Sequence, residues 1–201
     1  MPTPERTSLD AILAAGREIL ERDGLGGLTM QAVAERVGVR APSLYKRVRN
    51  RSELVRLIAA AAVVDLGERL DAESDAGGVS NAGDGRVDGR DAALAEVARL
   101  ARTVRSFAHE RPAAYGLVFA PGDDSGLEVE ALREASAPLL AVAADLAGPE
   151  HALDAARTLT AWVTGFISME LSGAFRLGGD VDRAFEFGVE RIAEALAPVG
   201  A

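Results

Sequence analysis

Cysteine is absent from the 201-residue chain, which rules out disulfide frameworks, thiolate zinc sites and thiol nucleophiles. Aromatic residues are scarce at 4%, so the 48% apolar content is mostly Ala, Val and Leu, a mixture suited to helix packing rather than a β-sandwich. No apolar run reaches the ~18 residues of a membrane span. The opening MPTPERTSLD lacks the basic-then-apolar order of a signal peptide. The expectation is a soluble cytoplasmic protein with no membrane partner. Strand-like alternation between hairpin turns is missing as well. Only two histidines occur, His109 and His151, and without partner spacing both read as surface or helix-end residues.

Catalytic patterns are equally lacking. There is no G-x-S-x-G elbow, no H-E-x-x-H and no Walker loop. GDGRVDG has the wrong glycine spacing for a dinucleotide turn. DAESDAG starts like a calcium loop, but Ala76 replaces its turn glycine and Ala82 its closing glutamate. The expectation is a non-enzyme with no cofactor and no metal.

The charge distribution is informative. The net charge is −9, yet residues 1–60 hold ten basic against seven acidic residues, and the remainder twelve against twenty-four. Seven Arg/Lys residues fall between Arg36 and Arg56, with Glu53 the one acid among them. Lys46, beside Tyr45, is the only lysine in the chain. A basic head on an acidic body suits a nucleic-acid-binding module joined to a different kind of domain.

Helical periodicity runs through the chain. Ile12, Leu13, Gly16, Ile19 and Leu20 form one face behind a Ser8 cap, and Gly24 ends that run. Thr29 caps a second helix with Val33, Ala34 and Val37 inside, and Gly38 stops it. A third starts near Pro42 and reaches about Val48. Asn50 caps a fourth, whose inner face reads Leu54, Leu57, Ile58, Ala61 and Val64. Residues 71–90, rich in Gly and acids, read as a flexible linker or loop. Helices resume over 90–110, 112–119, 126–147, 150–174 and 181–197. The fold expected is all-α with about nine helices, divided into a DNA-binding domain over 1–52 and a helical domain over 53–201.

Two short helices around the tight turn Val37-Gly38-Val39 have helix-turn-helix spacing. In that arrangement the second helix enters the DNA major groove while the first crosses the backbone. Ala41, Pro42 and Ser43 are small enough for close approach. Tyr45, Lys46 and Arg47 follow on adjacent faces, Arg51 opens the next helix, and Leu44 and Val48 form the buried side. Cations at such a surface gain affinity by releasing counterions from phosphates.

The block LTMQAVAERVGVRAPSLYKRVRNRSELV resembles the DNA-binding head of the TetR (tetracycline-repressor) family of bacterial regulators. The likeness spans residues 8–60: a leading amphipathic helix, a Gly-rich turn, Thr at the second helix, A-x-x-x-G-V, P-S-L-Y and a basic opening to the fourth helix. It implies that Thr29 caps its helix and binds phosphate, and that Gln31 contacts bases. It further implies that Ala41, Pro42 and Ser43 line the entering end of the recognition helix, with Pro42 on thymine methyls or sugar. Tyr45, Lys46 and Arg51 are implied to reach phosphate, and Arg47 phosphate or base. Arg40 stands where many relatives have Ser, Thr or an acid. The usual side-chain cap is therefore expected to be missing, with Ser43 the candidate substitute and Arg40 a candidate phosphate contact.

The resemblance also implies a homodimer on a palindromic double-stranded operator, released by a small-molecule effector. For the dimer interface, RTLTAWVTGFISMELSGAF offers the small row Ala161, Gly165, Ser168 and Ser172, and the final helix offers Phe185, Val189, Ile192 and Leu196. WVTGFISMELSG is similar to a C-terminal class of the family with a Trp-His-Gly signature, with Thr164 at the histidine position. By the same likeness an effector cavity draws on Phe107, Tyr115, Phe119, Trp162, Phe166 and Met169, each of which suits a plain core equally well. A DNA-binding adaptor that responds to no ligand is the alternative.

Overall fold

The computed structural model describes residues 8–76, 89–119 and 127–197. Among these, the secondary structure is ten α-helices: α1 (Leu9–Gly27), α2 (Met30–Val37), α3 (Ala41–Leu44), α4 (Arg51–Ala76), α5 (Gly89–Glu110), α6 (Pro112–Phe119), α7 (Val129–Ala135), α8 (Ala137–Ala147), α9 (Ala152–Leu171) and α10 (Val181–Leu196). The tenth arises where one helix was expected over 126–147. Pro138 sits in the first turn of α8, has no N–H to donate and crowds the carbonyl four residues back, so the helix breaks at Ser136. Of the 71–90 segment expected as a linker, residues 71–76 continue α4, residues 89 and 90 open α5, and 77–88 lie outside the described residues.

The described residues form two compact units. The first draws on Met1–Asp65 and Arg111–Leu132, the second on Leu66–Glu110 and Arg133–Ala201. The sequence reading placed its division at 52/53, by motif; by packing, the first unit extends into α4 and recruits α6.

The first unit is built on capped helices around one core. The Ser8 hydroxyl accepts from the Ala11 N–H at 3.2 Å and starts α1, whose regular turns break at Gly24. Thr29 does the same for α2 through Ala32 N–H at 3.1 Å. Gly38 then ends α2 in the left-handed region (φ 78°), where a side chain would be strained. Its N–H donates to the Ala34 and Glu35 carbonyls, and the Val39 N–H donates to Ala34. The Asn50 side chain accepts from Glu53 N–H at 2.8 Å and opens α4. Ile12, Ile19, Leu20, Leu28, Val33, Leu44, Val48, Leu54 and Ile58 close the core, each at most 1% exposed. Ala113 and Leu117 of α6 pack onto it. Along the part of α4 in this unit the buried positions are Leu54, Val55, Ile58, Ala59, Ala62 and Val63, whereas Val64, expected inside, is 55% exposed.

In the second unit α5, α8, α9 and α10 pack on one another. An alanine seam of Ala143, Ala147, Ala155 and Ala156 brings α8 close to α9, with Leu139, Leu140 and Leu196 against it. Trp162, Phe166, Phe185 and Phe175 form a linked aromatic group, with ring centroids 4.8 to 5.8 Å apart.

Candidate nucleic-acid interface

The surface around α2 and α3 begins with a short recognition helix. α3 spans four residues, and the chain then turns through Tyr45–Arg47, with Arg47 and Val48 N–H groups both donating to the Leu44 carbonyl. Buried Leu44 and Val48 anchor this turn from below. The side chains between them are on the outside: Tyr45 is 52% exposed, and Lys46 and Arg47 are exposed. Pro42 is exposed, and Ala41 and Ser43 are half-buried. The entering end of α3 is therefore small and accessible. No side chain caps α3, so Ser43 does not replace the missing cap at Arg40; Pro42 in the first turn reduces the need by removing one donor.

The cations divide into two kinds. Arg36 pairs with Glu18, and Arg49 pairs with Glu53 at 3.2 Å. Glu53 accepts first from the Arg49 backbone N–H and then from its guanidinium, which holds its carboxyl below the usual range. Arg40 and Lys46 are exposed and form no ion pair with any described residue, so their charge is available to a polyanion. Gln31 is exposed and donates to Glu35 at 3.0 Å. Thr29 is exposed with its hydroxyl oxygen already accepting, and its hydroxyl proton remains to be donated.

Arg51 departs from the expected role. Its Nε donates to the Leu28 carbonyl at 2.7 Å and its Nη2 to the Leu25 carbonyl, so the side chain turns toward the α1–α2 turn.

The second unit corrects other expectations. Ala161, Gly165, Ser168 and Ser172 are all exposed on α9, as an interface row requires. On α10, Phe185 (0% exposed) and Val189 (2%) are enclosed by their own chain and have no surface to offer a second copy. Leu196 packs on the alanine seam, and Ile192 is half-buried. The exposed large apolar side chains of this unit are instead Leu153, Met169, Leu171, Phe175, Leu177 and Phe187. The six expected cavity residues are divided between the two units. Trp162 and Phe166 are half-buried and tilted against each other and against Phe185 of α10, Phe107 is fully buried under the Arg69 guanidinium, and Met169 faces solvent. Tyr115 and Phe119 pair at 4.8 Å in the first unit. The buried Tyr115 hydroxyl has no hydrogen-bond partner among the described residues, and desolvation pushes its pKa up to about 12. Thr164 donates to the Thr160 carbonyl at 2.7 Å, so its hydroxyl is engaged within its own helix.

The histidines behave as read: His109 lies exposed in the last turn of α5, 3.2 Å from Glu170, and His151 stands at the N-terminal end of α9. No helix among the described residues is long and apolar enough to cross a membrane.

Comparison with known proteins decides the family. Residues 12–63 match the model of bacterial regulatory proteins of the tetR family, and residues 97–192 match a tetracycline-repressor-like C-terminal domain. The chain belongs to the tetracycline-repressor family. It is 29% identical over 196 residues to the HTH-type transcriptional regulator Rv0681 of Mycobacterium tuberculosis, spanning 96% of this chain and 83% of that one. Among solved structures, the regulatory protein SCO4313 aligns with a TM-score of 0.71 and 25% identity, over 94% of this chain and 98% of that one. A glutamine-to-alanine variant of TetR from Acinetobacter baumannii, solved in complex with minocycline, shares the fold with a TM-score of 0.62 at 19% identity, over 94% and 95% of the two chains. As a member of this family the protein is a DNA-binding transcriptional regulator rather than an enzyme.

Two features of this tetracycline-repressor-family head escaped the sequence. One is the Arg51 bridge. The other is Glu21, whose carboxylate accepts from the Ala113 and Ala114 N–H groups at 3.0 and 2.9 Å and so caps α6 onto the head. Partners 92 and 93 residues apart leave no local signal.

Proposed function

We propose that the protein is a cytoplasmic, homodimeric repressor that occupies a palindromic operator and leaves it when a small molecule binds. The observation that carries the DNA-reading part is the seating of Leu44 and Val48 beneath exposed Tyr45, Lys46 and Arg47. Buried anchors hold the recognition turn while its polar side faces outward. In this reading Lys46, Arg47 and Arg40 meet phosphates, Gln31 and the Ala41–Ser43 end approach base edges, and Thr29 donates its hydroxyl to a phosphate.

One short recognition helix reads few base pairs, so a second copy is needed. The exposed row Ala161, Gly165, Ser168 and Ser172 permits close helix approach, and exposed Met169 on the same helix and Phe187 on α10 supply apolar area. For the effector, the aromatic residues first considered are largely spent on packing. A groove of about 950 Å³ between α5 and α8 is better suited, with Ala92, Ala141 and Val142 in its lining and Glu96, Arg99 and Asp145 as charged groups. The minocycline complex of the Acinetobacter relative supports ligand response by analogy of fold.

Selection of bound duplexes from a random pool tests the reading. The expected result is a palindrome whose half-site centres lie about one helical turn, roughly 10 base pairs, apart or at a multiple of it. Enrichment of an asymmetric site, or of none, contradicts the symmetric dimer.

A further inference from the structure

The bonds of Arg51 assign it a different task from the cations around it, and the assignment builds on the DNA-reading role of the head. We propose that Arg51 is a positioning residue, a strut tying the start of α4 to the entrance of α2, and not a phosphate ligand.

The geometry supports this from both ends. Leu25 lies one residue beyond Gly24, where α1 loses its regular turns, and Leu28 is the residue that terminates α1. Carbonyls at a helix end lack the donors that interior ones receive, and a cation there is favoured by the helix dipole. The guanidinium reaches both carbonyls through Nε and Nη2, using the fork edge that would otherwise clasp a phosphate. Leu28 directly precedes Thr29, whose hydroxyl caps α2. Arg51 directly follows Asn50, which caps α4. A single side chain therefore joins two capped helix starts, with α3 and the recognition turn enclosed between them. The separation of α2 from α4 then depends on a planar two-pronged donor. A lysine ammonium, a single nitrogen on a flexible stem, cannot span both carbonyls in the same way.

The test uses the full chain bound to a selected duplex, titrated across salt concentrations, with Arg51→Lys and Arg51→Ala compared. The strut predicts that both substitutions weaken operator binding about tenfold or more. It also predicts an unchanged slope of log affinity against log salt, and faster amide exchange over Leu28–Val33 in both variants. A phosphate ligand predicts the reverse: Arg51→Lys binds as the unaltered chain does, and Arg51→Ala flattens the slope by about one per subunit. That pattern, or no effect from either substitution, overturns the proposal. If Arg51→Ala does not fold, Arg51→Lys decides alone, because a phosphate tolerates an ammonium and the two carbonyls do not. Steep salt dependence in the unaltered chain checks the DNA reading separately. Its absence would sink that reading and the role of Arg51 together, whereas the variants bear on Arg51 only.

Discussion

At the scale of single residues, the helix caps carry the most local information. The Thr29 hydroxyl accepts from the free Ala32 N–H in the first turn of α2, so Thr29→Ala should cost about 1 kcal/mol in chemical denaturation, with a matching loss of duplex affinity. The second informative residue is Glu170. The Arg105 guanidinium, 2.9 Å away at Nε, lowers its carboxyl pKa below the usual range, and His109 adds to the effect. A carboxylate with a depressed folded-state pKa contributes stability above its unfolded pKa, and that contribution is lost as pH falls through the folded value. Both partners are mostly buried, at 15% and 13% side-chain exposure, so Arg105→Ala should cost about 3 kcal/mol near neutrality. Arg105→Ala should also remove much of the acid-side decline in a pH series of unfolding curves. Caps of this kind were legible, since Ser8, Thr29 and Asn50 bond to groups three residues away. The partners of Arg51 and Glu21 were not, because a charged residue on a helix does not announce a carbonyl or an amide brought near by folding.

At the scale of elements, periodicity located the helices and failed where packing or a single proline overrode it. Pro138 sits inside an apolar pattern that otherwise reads as one continuous helix, and its missing donor and ring clash separate α7 from α8. The face of α10 was read correctly as apolar, but not which body it faces. Phe185 looks inward because Trp162 and Phe166 of α9 meet its ring, and Val189 is buried on the same helix. Hydrophobicity alone cannot separate a core from an interface. Gly188 permits that contact: a Cβ there would collide with the Trp162 ring. Gly188→Ala gains about 1 kcal/mol in helix propensity and loses roughly 1–3 to overpacking, so the net expectation is a loss of about 1. Trp162 is the only tryptophan, so its fluorescence should shift in the same variant. An unshifted spectrum with unchanged stability would contradict the packing described.

At the scale of the whole molecule, the charge split between head and body survives folding in a more selective form. Arg36, Arg49 and Arg51 are engaged within the protein, while Arg40 and Lys46, the latter next to Tyr45, keep their charge exposed. The sequence showed a basic stretch, but not which cations neighbouring groups would occupy. The central claim is that this remaining surface seats on duplex DNA. The affinity of the full chain for a selected duplex between about 50 and 200 mM salt tests this directly, with and without Lys46→Ala combined with Arg40→Ala. The expected result is a steep fall in affinity for the unaltered chain, and a slope shallower by roughly two per subunit in the double variant. A salt-independent affinity, or the same slope in both proteins, would contradict it.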